Sequence, residues 1–126
     1  MDTWILWALI LAMLAWMGFN YLRIRRAAKI VDNEEFEALI RTGQLIDLRD
    51  PAEFHRKHIL GARNIPSSQL KTSLAALRKD KPVLLYENQR AQRVTNAALY
   101  LKKQGFSEIY ILSYGLDSWK GKVKTS

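Results

Sequence analysis

The chain opens on an unbroken apolar run. From Trp4 to Phe19, WILWALILAMLAWMGF, no position carries a charged or strongly polar side chain, and no polar stripe recurs as it would on a surface helix. With Thr3 and Asn20 to Leu22 added, the run reaches about 20 residues, or roughly 30 Å of helix, the thickness of a bilayer core. Trp4, Trp7 and Tyr21 stand near its ends, where amphipathic rings prefer the headgroup level. Trp16, further in, is suited to packing against another helix. A cleaved secretory signal calls for a basic start, a shorter apolar stretch and a small-residue cleavage site, whereas the only charge before this run is Asp2. The pattern therefore predicts an uncleaved transmembrane anchor over residues 1–22.

Beyond residue 31 the pattern changes to short segments that alternate in period. DNEEFEALIRTG starts with Asp32 as a cap and Glu35 three positions on, puts Phe36, Leu39 and Ile40 on one face, and ends at Gly43. QLIDLR reads as a strand. DPAEFHRKH predicts a helix capped by Asp50, with Pro51 at its first position and Glu53 at its third, broken by Gly61. ARNIP is a brief extended piece, and Ser67 or Ser68 caps a helix in QLKTSLAALRK, with Leu70, Leu74 and Leu77 inward. PVLLYE is the near-continuous apolar run of a strand covered on both faces. QRVTNAALYLKKQG is helical with Val94, Ala97, Ala98 and Leu101 inward, EIYIL is a strand, and GLDSWKGK is a short terminal helix that drops Leu116 and Trp119 onto the core. Strands and helices alternating through short connections argue for a parallel sheet flanked by helices, an α/β domain over residues 32–126.

Charge adds a direction to this picture. The formal net charge is +8, and part of it sits in RIRRAAK, where Arg23, Arg25, Arg26 and Lys29 follow the apolar run in a basic linker over residues 23–31. Basic residues flanking a span stay on the cytoplasmic side, which places the domain in the cytoplasm, and they sit against anionic headgroups at about 1 kcal/mol each. The remaining Lys and Arg are interspersed with acids and form no basic–aromatic stripe, so nucleic acid is not an expected partner. The chain has no cysteine, which excludes disulfides, thiolate metal sites and catalysis by a thiol of its own. His55 and His58, three apart, could present two imidazoles to a metal, but no third ligand stands at motif spacing, and neither metal nor cofactor is expected.

Specific residues then carry a resemblance. LIDLRDPAEFHRKHILGARNIP closely resembles the signature of the rhodanese-like domains: an apolar strand, Asp-x-Arg, an acidic-Pro-x-Glu-aromatic turn and a His-Ile-x-Gly-Ala-x-Asn-Ile-Pro run. KPVLLYENQRAQRVTNAALYLKKQGFSEIYILSYGLDSW resembles the second half of the same family, and the two together cover residues 31–122. In active members the resemblance implies a loop that begins with a catalytic Cys directly after the strand, with backbone N–H groups pointing inward at a helix N-terminus. Such a nest favours negative charge and would stabilise a persulfide during sulfur transfer. Laid on this pattern, the loop Glu87, Asn88, Gln89, Arg90, Ala91, Gln92, Arg93 has Glu87 at the cysteine position, Arg90 at the usual glycine and Gln92-Arg93 at the loop-ending Arg-Ser.

A carboxylate cannot carry a sulfane sulfur. Glu87 at a helix N-terminus has its charge stabilised, which makes a poor base, and no second acid or His stands beside it at motif spacing. The expected role of Glu87 is to fill the nest from within, as a cap of the following helix. Asp47 and Arg49 match the Asp-x-Arg and are expected as a buried pair bracing the strand end, since buried charges are normally paired. His58 matches the usual structural His, and Arg90 and Arg93 give the loop a positive rim. The functional expectation is a catalytically inactive module that binds or regulates a protein partner. The alternatives are a sulfurtransferase-like protein using a partner's thiol or another loop chemistry, and a purely architectural role in assembly through the span, for which no Gly-x-x-x-Gly is present.

Overall fold

The computed structural model describes residues 2–89 and 92–125, with residues 23–27 described by their backbone. Helix α1, Thr3–Ala27, contains the apolar run; its Thr3–Leu22 portion is long and apolar enough to cross a membrane and is unburied by the rest of the chain. The interval 23–31, expected as a linker, instead holds the last turns of α1, a buried Ala28 and a strand, β1 (Lys29–Val31). The side chains of Arg23, Arg25 and Arg26 lie outside the described set.

Four further strands join β1 in one parallel sheet: β2 (Gln44–Asp47), β4 (Arg63–Asn64), β5 (Val83–Tyr86) and β6 (Ile109–Leu112), in the order β1-β6-β5-β2-β4. Every residue of β5 is buried, and because strand side chains alternate, its residues feed two cores. Val83 and Leu85 join Ile46, Ile111 and the inward face of α4 (Gln92–Lys103), namely Val94, Ala97, Ala98 and Leu101. Leu84 and Tyr86 face the other way, toward Phe36 of α2 (Asn33–Ile40), Ile59 and Leu116. Asp32 caps α2 as its sequence suggests, accepting from the Glu35 N–H at 2.9 Å.

Three elements differ from the expected pattern. The helix that begins at Pro51 ends at Arg56 (α3), and Lys57–Ile59 form a strand, β3, antiparallel to β7 (Val123–Thr125) in a second, two-stranded sheet. The Ile59 N–H donates to the Tyr86 hydroxyl at 3.1 Å and its side chain is buried, so tertiary contacts decide the conformation that local periodicity left helical. Asp50 precedes Pro51 but makes no side-chain capping bond. Residues Ser67–Gln69 and Lys71–Ala76 form two 3₁₀ segments instead of an α-helix, without a serine cap. Leu70 and Leu77 are nonetheless buried and Leu74 packs beside them, since a tighter turn also stacks residues three apart. The terminal helix is a single 3₁₀ turn, Leu116–Ser118, with Leu116 buried and Trp119 edge-on to Phe36.

Candidate functional site

The strand end of β5 continues directly into Glu87, and the loop it opens is clamped from three directions. From the front, the backbone of the Leu116–Ser118 turn closes on it: the Leu116 N–H donates to the Glu87 carbonyl at 2.8 Å and the Asp117 N–H to the Asn88 carbonyl at 3.0 Å. This contact needs Gly115. Its φ of 70° and ψ of −169° fall where side chains are not tolerated, and a Cβ there would lie 2.6 Å from the Glu87 carbonyl oxygen.

From within, the Glu87 side chain is turned into the protein, 8% exposed, and its Oε2 accepts the Val94 N–H at 2.8 Å. Val94 lies in the first turn of α4, whose amides have no partner inside the helix, so the carboxylate satisfies a donor that would otherwise be stranded. The charge also meets the positive end of the helix dipole.

From the side, the loop is tied to Asp47 and Arg49. Arg49 reaches Asp47 through Nε at 3.0 and 3.1 Å and through Nη2 at 2.8 Å, with Asp47 fully buried and Arg49 nearly so. Burial opposes the charge on the guanidinium, but the hydrogen bond and the charge of Asp47 outweigh it, and its pKa is raised. The remaining Arg49 donors go to the Lys57 carbonyl and, at 3.0 Å, to Asn88 Oδ1. Asn88 passes the connection on by donating to Glu53 Oε2 at 2.8 Å, so α3 and the loop are joined through one amide. Asn64 donates to the Asp47 and Arg49 carbonyls at 3.2 and 2.9 Å and holds the strand end open for this pair. His58 stands behind α3, its ring stacked on Phe54 at 3.8 Å and its Nδ1 donating to the Phe54 carbonyl at 2.7 Å.

The expected site residues thus separate. Glu87 is inside, Asn88 belongs to the Arg49 network, and Gln89 is exposed with a 3.4 Å bond to Asp117. Gln92 and Arg93 border a different groove, of about 330 Å³, opposite Ser67, Ser68 and Lys71. Arg90 and Ala91 lie outside the described residues. A shallow depression of about 290 Å³ opens instead beside Asn88, between Arg49, Glu53, Arg56, Lys57 and Asp117. Among the described residues no three His, Asp or Glu side chains converge as a metal site. Sequence reasoning did not single out Glu53, Gly115 or the Tyr86 hydroxyl for this region; Gly115, alone before Leu116-Asp117, was the one visible hint.

The profile of the rhodanese-like domain matches residues 32–122. The chain belongs to the rhodanese-like domain family. Among its relatives, the uncharacterized protein YqhL of Bacillus subtilis is 45% identical over 124 residues, covering 98% of each chain, so the likeness runs through α1 as well. The thiosulfate sulfurtransferase GlpE of Stutzerimonas stutzeri is 36% identical over 95 residues, 73% of this chain and 84% of GlpE. A rhodanese-related protein from Thermoplasma volcanium has the same fold, with a TM-score of 0.70 at 23% identity over 78% of this chain and 99% of its own. The chain has no cysteine, and residues 87–93, the loop with the first two positions of α4, offer a carboxylate, amides and cations.

Proposed function

We propose that this chain is a membrane-tethered, catalytically inactive rhodanese-like module used for protein binding or regulation. The observation that carries the reading is the Glu87–Val94 bond. By the family resemblance Glu87 stands where active members have their thiolate, and its carboxylate already occupies a helix-terminal amide from within. No cysteine is present to take over the role. A loop held by Glu87, Asn88 and the Gly115 turn is a preorganised surface, and preorganisation lowers the entropic cost of docking a partner. The exposed Gln89, Gln92 and Arg93, with Arg90 between them in the chain, supply contacts for that partner. The apolar α1 serves as the uncleaved anchor, with Arg23, Arg25, Arg26 and Lys29 at the cytoplasmic headgroups and the domain in the cytoplasm.

One observation favours a second reading. The likeness to GlpE, itself a thiosulfate sulfurtransferase, suggests a sulfurtransferase-like protein that works with a thiol supplied by a partner. The two readings agree that a partner meets the loop, and they differ in whether sulfur moves. The loop itself is tested by capturing partners on the full-length protein in its membrane and repeating the capture with Gln89→Ala, Gln92→Ala and Arg93→Ala combined. The expected result is a loss of about tenfold or more in affinity, as for the central contacts of an interface. Binding indifferent to all three changes would remove the loop from the account.

A further inference from the structure

The apolar helix enters the domain at one defined edge. β1 runs parallel to the rest of its sheet and starts at Lys29, two positions after α1 ends, with the buried Ala28 between them. No flexible tether separates helix from sheet. From Leu22 to Lys29 the chain advances roughly 10 Å at about 1.5 Å per helical residue, which keeps this edge within about one to two Debye lengths of the end of the apolar run.

Three connections pack side by side to form the edge. The Gln44 N–H donates to the Pro82 carbonyl at 2.8 Å, the Gln44 side chain bonds both the N–H and the carbonyl of Arg78 at 2.7 Å, and the Val83 N–H donates to the Glu108 carbonyl at 2.8 Å. Lys79 lies along Gly105, where a Cβ would meet its Nζ at 3.4 Å. Exposed on these connections and the ends that flank them are Lys29, Arg41, Lys79, Lys81, Lys102 and Lys103. Arg78 is matched by Asp80 at 2.6 Å, which leaves Glu108 as the one further acid on the three connections. The opposite edge, about 13 Å away across four-residue strands, carries Asp32, Asp50, Glu53, Glu87 and Asp117 among its cations. An ordinary solvated surface intersperses the two signs, as the far edge does with Arg56, Lys57 and Arg93 among its acids; the edge that the apolar helix enters is instead dominated by cations.

We infer that this cationic edge docks on anionic lipid headgroups, so that the sheet stands on the membrane and its other edge, with Glu87 and Asn88, faces away from it. The inference rests on α1 as a membrane span. Cations close to an anionic leaflet are attracted within a Debye length; the short helix–strand junction holds Lys29 near that range, and the other five stand on the same edge of the sheet. The same orientation would leave the depression beside Asn88 open to a partner arriving from the aqueous side.

The chain has no cysteine, so a single introduced one carries a unique fluorophore. Full-length protein labelled at Gln104→Cys, on the cationic edge, or at Tyr114→Cys, at the far edge, is reconstituted into vesicles containing headgroup-quencher lipid. The vesicles are made of phosphatidylcholine alone or of phosphatidylcholine with phosphatidylglycerol. Quenching at position 104 is expected to be several-fold stronger in the anionic vesicles and to fall at high salt or on combining Lys79→Glu, Lys81→Glu and Lys103→Glu. The label at position 114 is expected to stay unquenched throughout. Equal quenching at 104 in both vesicles, indifference to charge reversal, or stronger quenching at 114 would overturn the docking. Flotation after an alkaline carbonate wash reports the span separately. Protein washed from the vesicles defeats the span and the docking together, whereas protein that stays without edge-specific quenching defeats the docking alone.

Discussion

At the scale of single residues, the site is governed by where a few polar groups find partners once water is excluded. Glu87 finds the Val94 amide, Asp47 finds Arg49, and the Tyr86 hydroxyl accepts the Ile59 N–H. Tyr86 is the member that alkali tests. Burial first, and then the charge and hydrogen bond of Asp47, push its pKa well above the ordinary phenol value of about 10. A folded pKa above the unfolded one contributes stability that is complete below about pH 10 and is lost as pH rises further, because the unfolded chain then releases a proton that the folded chain keeps. Of the five tyrosines, one is therefore expected to ionise only as the protein unfolds, seen as a tyrosinate absorbance step coincident with loss of circular dichroism above about pH 10. Ionisation of all five near pH 10 with the fold intact would contradict this placement of Tyr86. The inward turn of Glu87 was legible beforehand, because a carboxylate ahead of a helix has an obvious donor to meet. The route from Arg49 through Asn88 to Glu53 was not, because it joins three elements whose positions depend on the whole sheet.

Among elements, those whose stability is local were readable and those made by distant pairing were not. α2 and α4 carry their apolar residues at helical spacing, and β5 carries a buried run; all three stand where the pattern put them. β3 and β7 pair across some 65 intervening positions, and a three-residue strand leaves no periodicity to detect, so KHI reads locally as the tail of a helix. The 3₁₀ segments kept the leucines inward while changing the turn, a difference that burial pattern alone does not register. The element on which the site most depends is the Gly115–Ser118 turn. Gly115→Ala combines a disfavoured backbone conformation with a Cβ driven into the Asn88 and Glu87 carbonyls, and it is expected to destabilise the domain by about 1–3 kcal/mol. Urea unfolding measures the loss, and the Leu116 and Asp117 amides should exchange with solvent faster than before. Unchanged stability with unchanged exchange would mean that the turn does not clamp the loop.

On the scale of the whole molecule, an apolar helix feeds without a break into the edge strand of a parallel rhodanese-like sheet, and the candidate loop lies at the sheet's other end. The fold class was legible because two long segments in order resemble the family and because alternating strands and helices leave few other topologies. Sequence did not reveal how tightly the helix joins the sheet, since a basic stretch such as RIRRAAK reads as a linker until Ala28 is seen to be buried. The central proposal concerns chemistry: Glu87 turns inward to accept the Val94 N–H, and the module proposed above moves no sulfur. Thiosulfate-to-cyanide sulfur transfer by the purified full-length protein tests it most directly. The expected result is no thiocyanate above the uncatalysed background, unchanged in Glu87→Ala; turnover that disappears in Glu87→Ala would contradict the account.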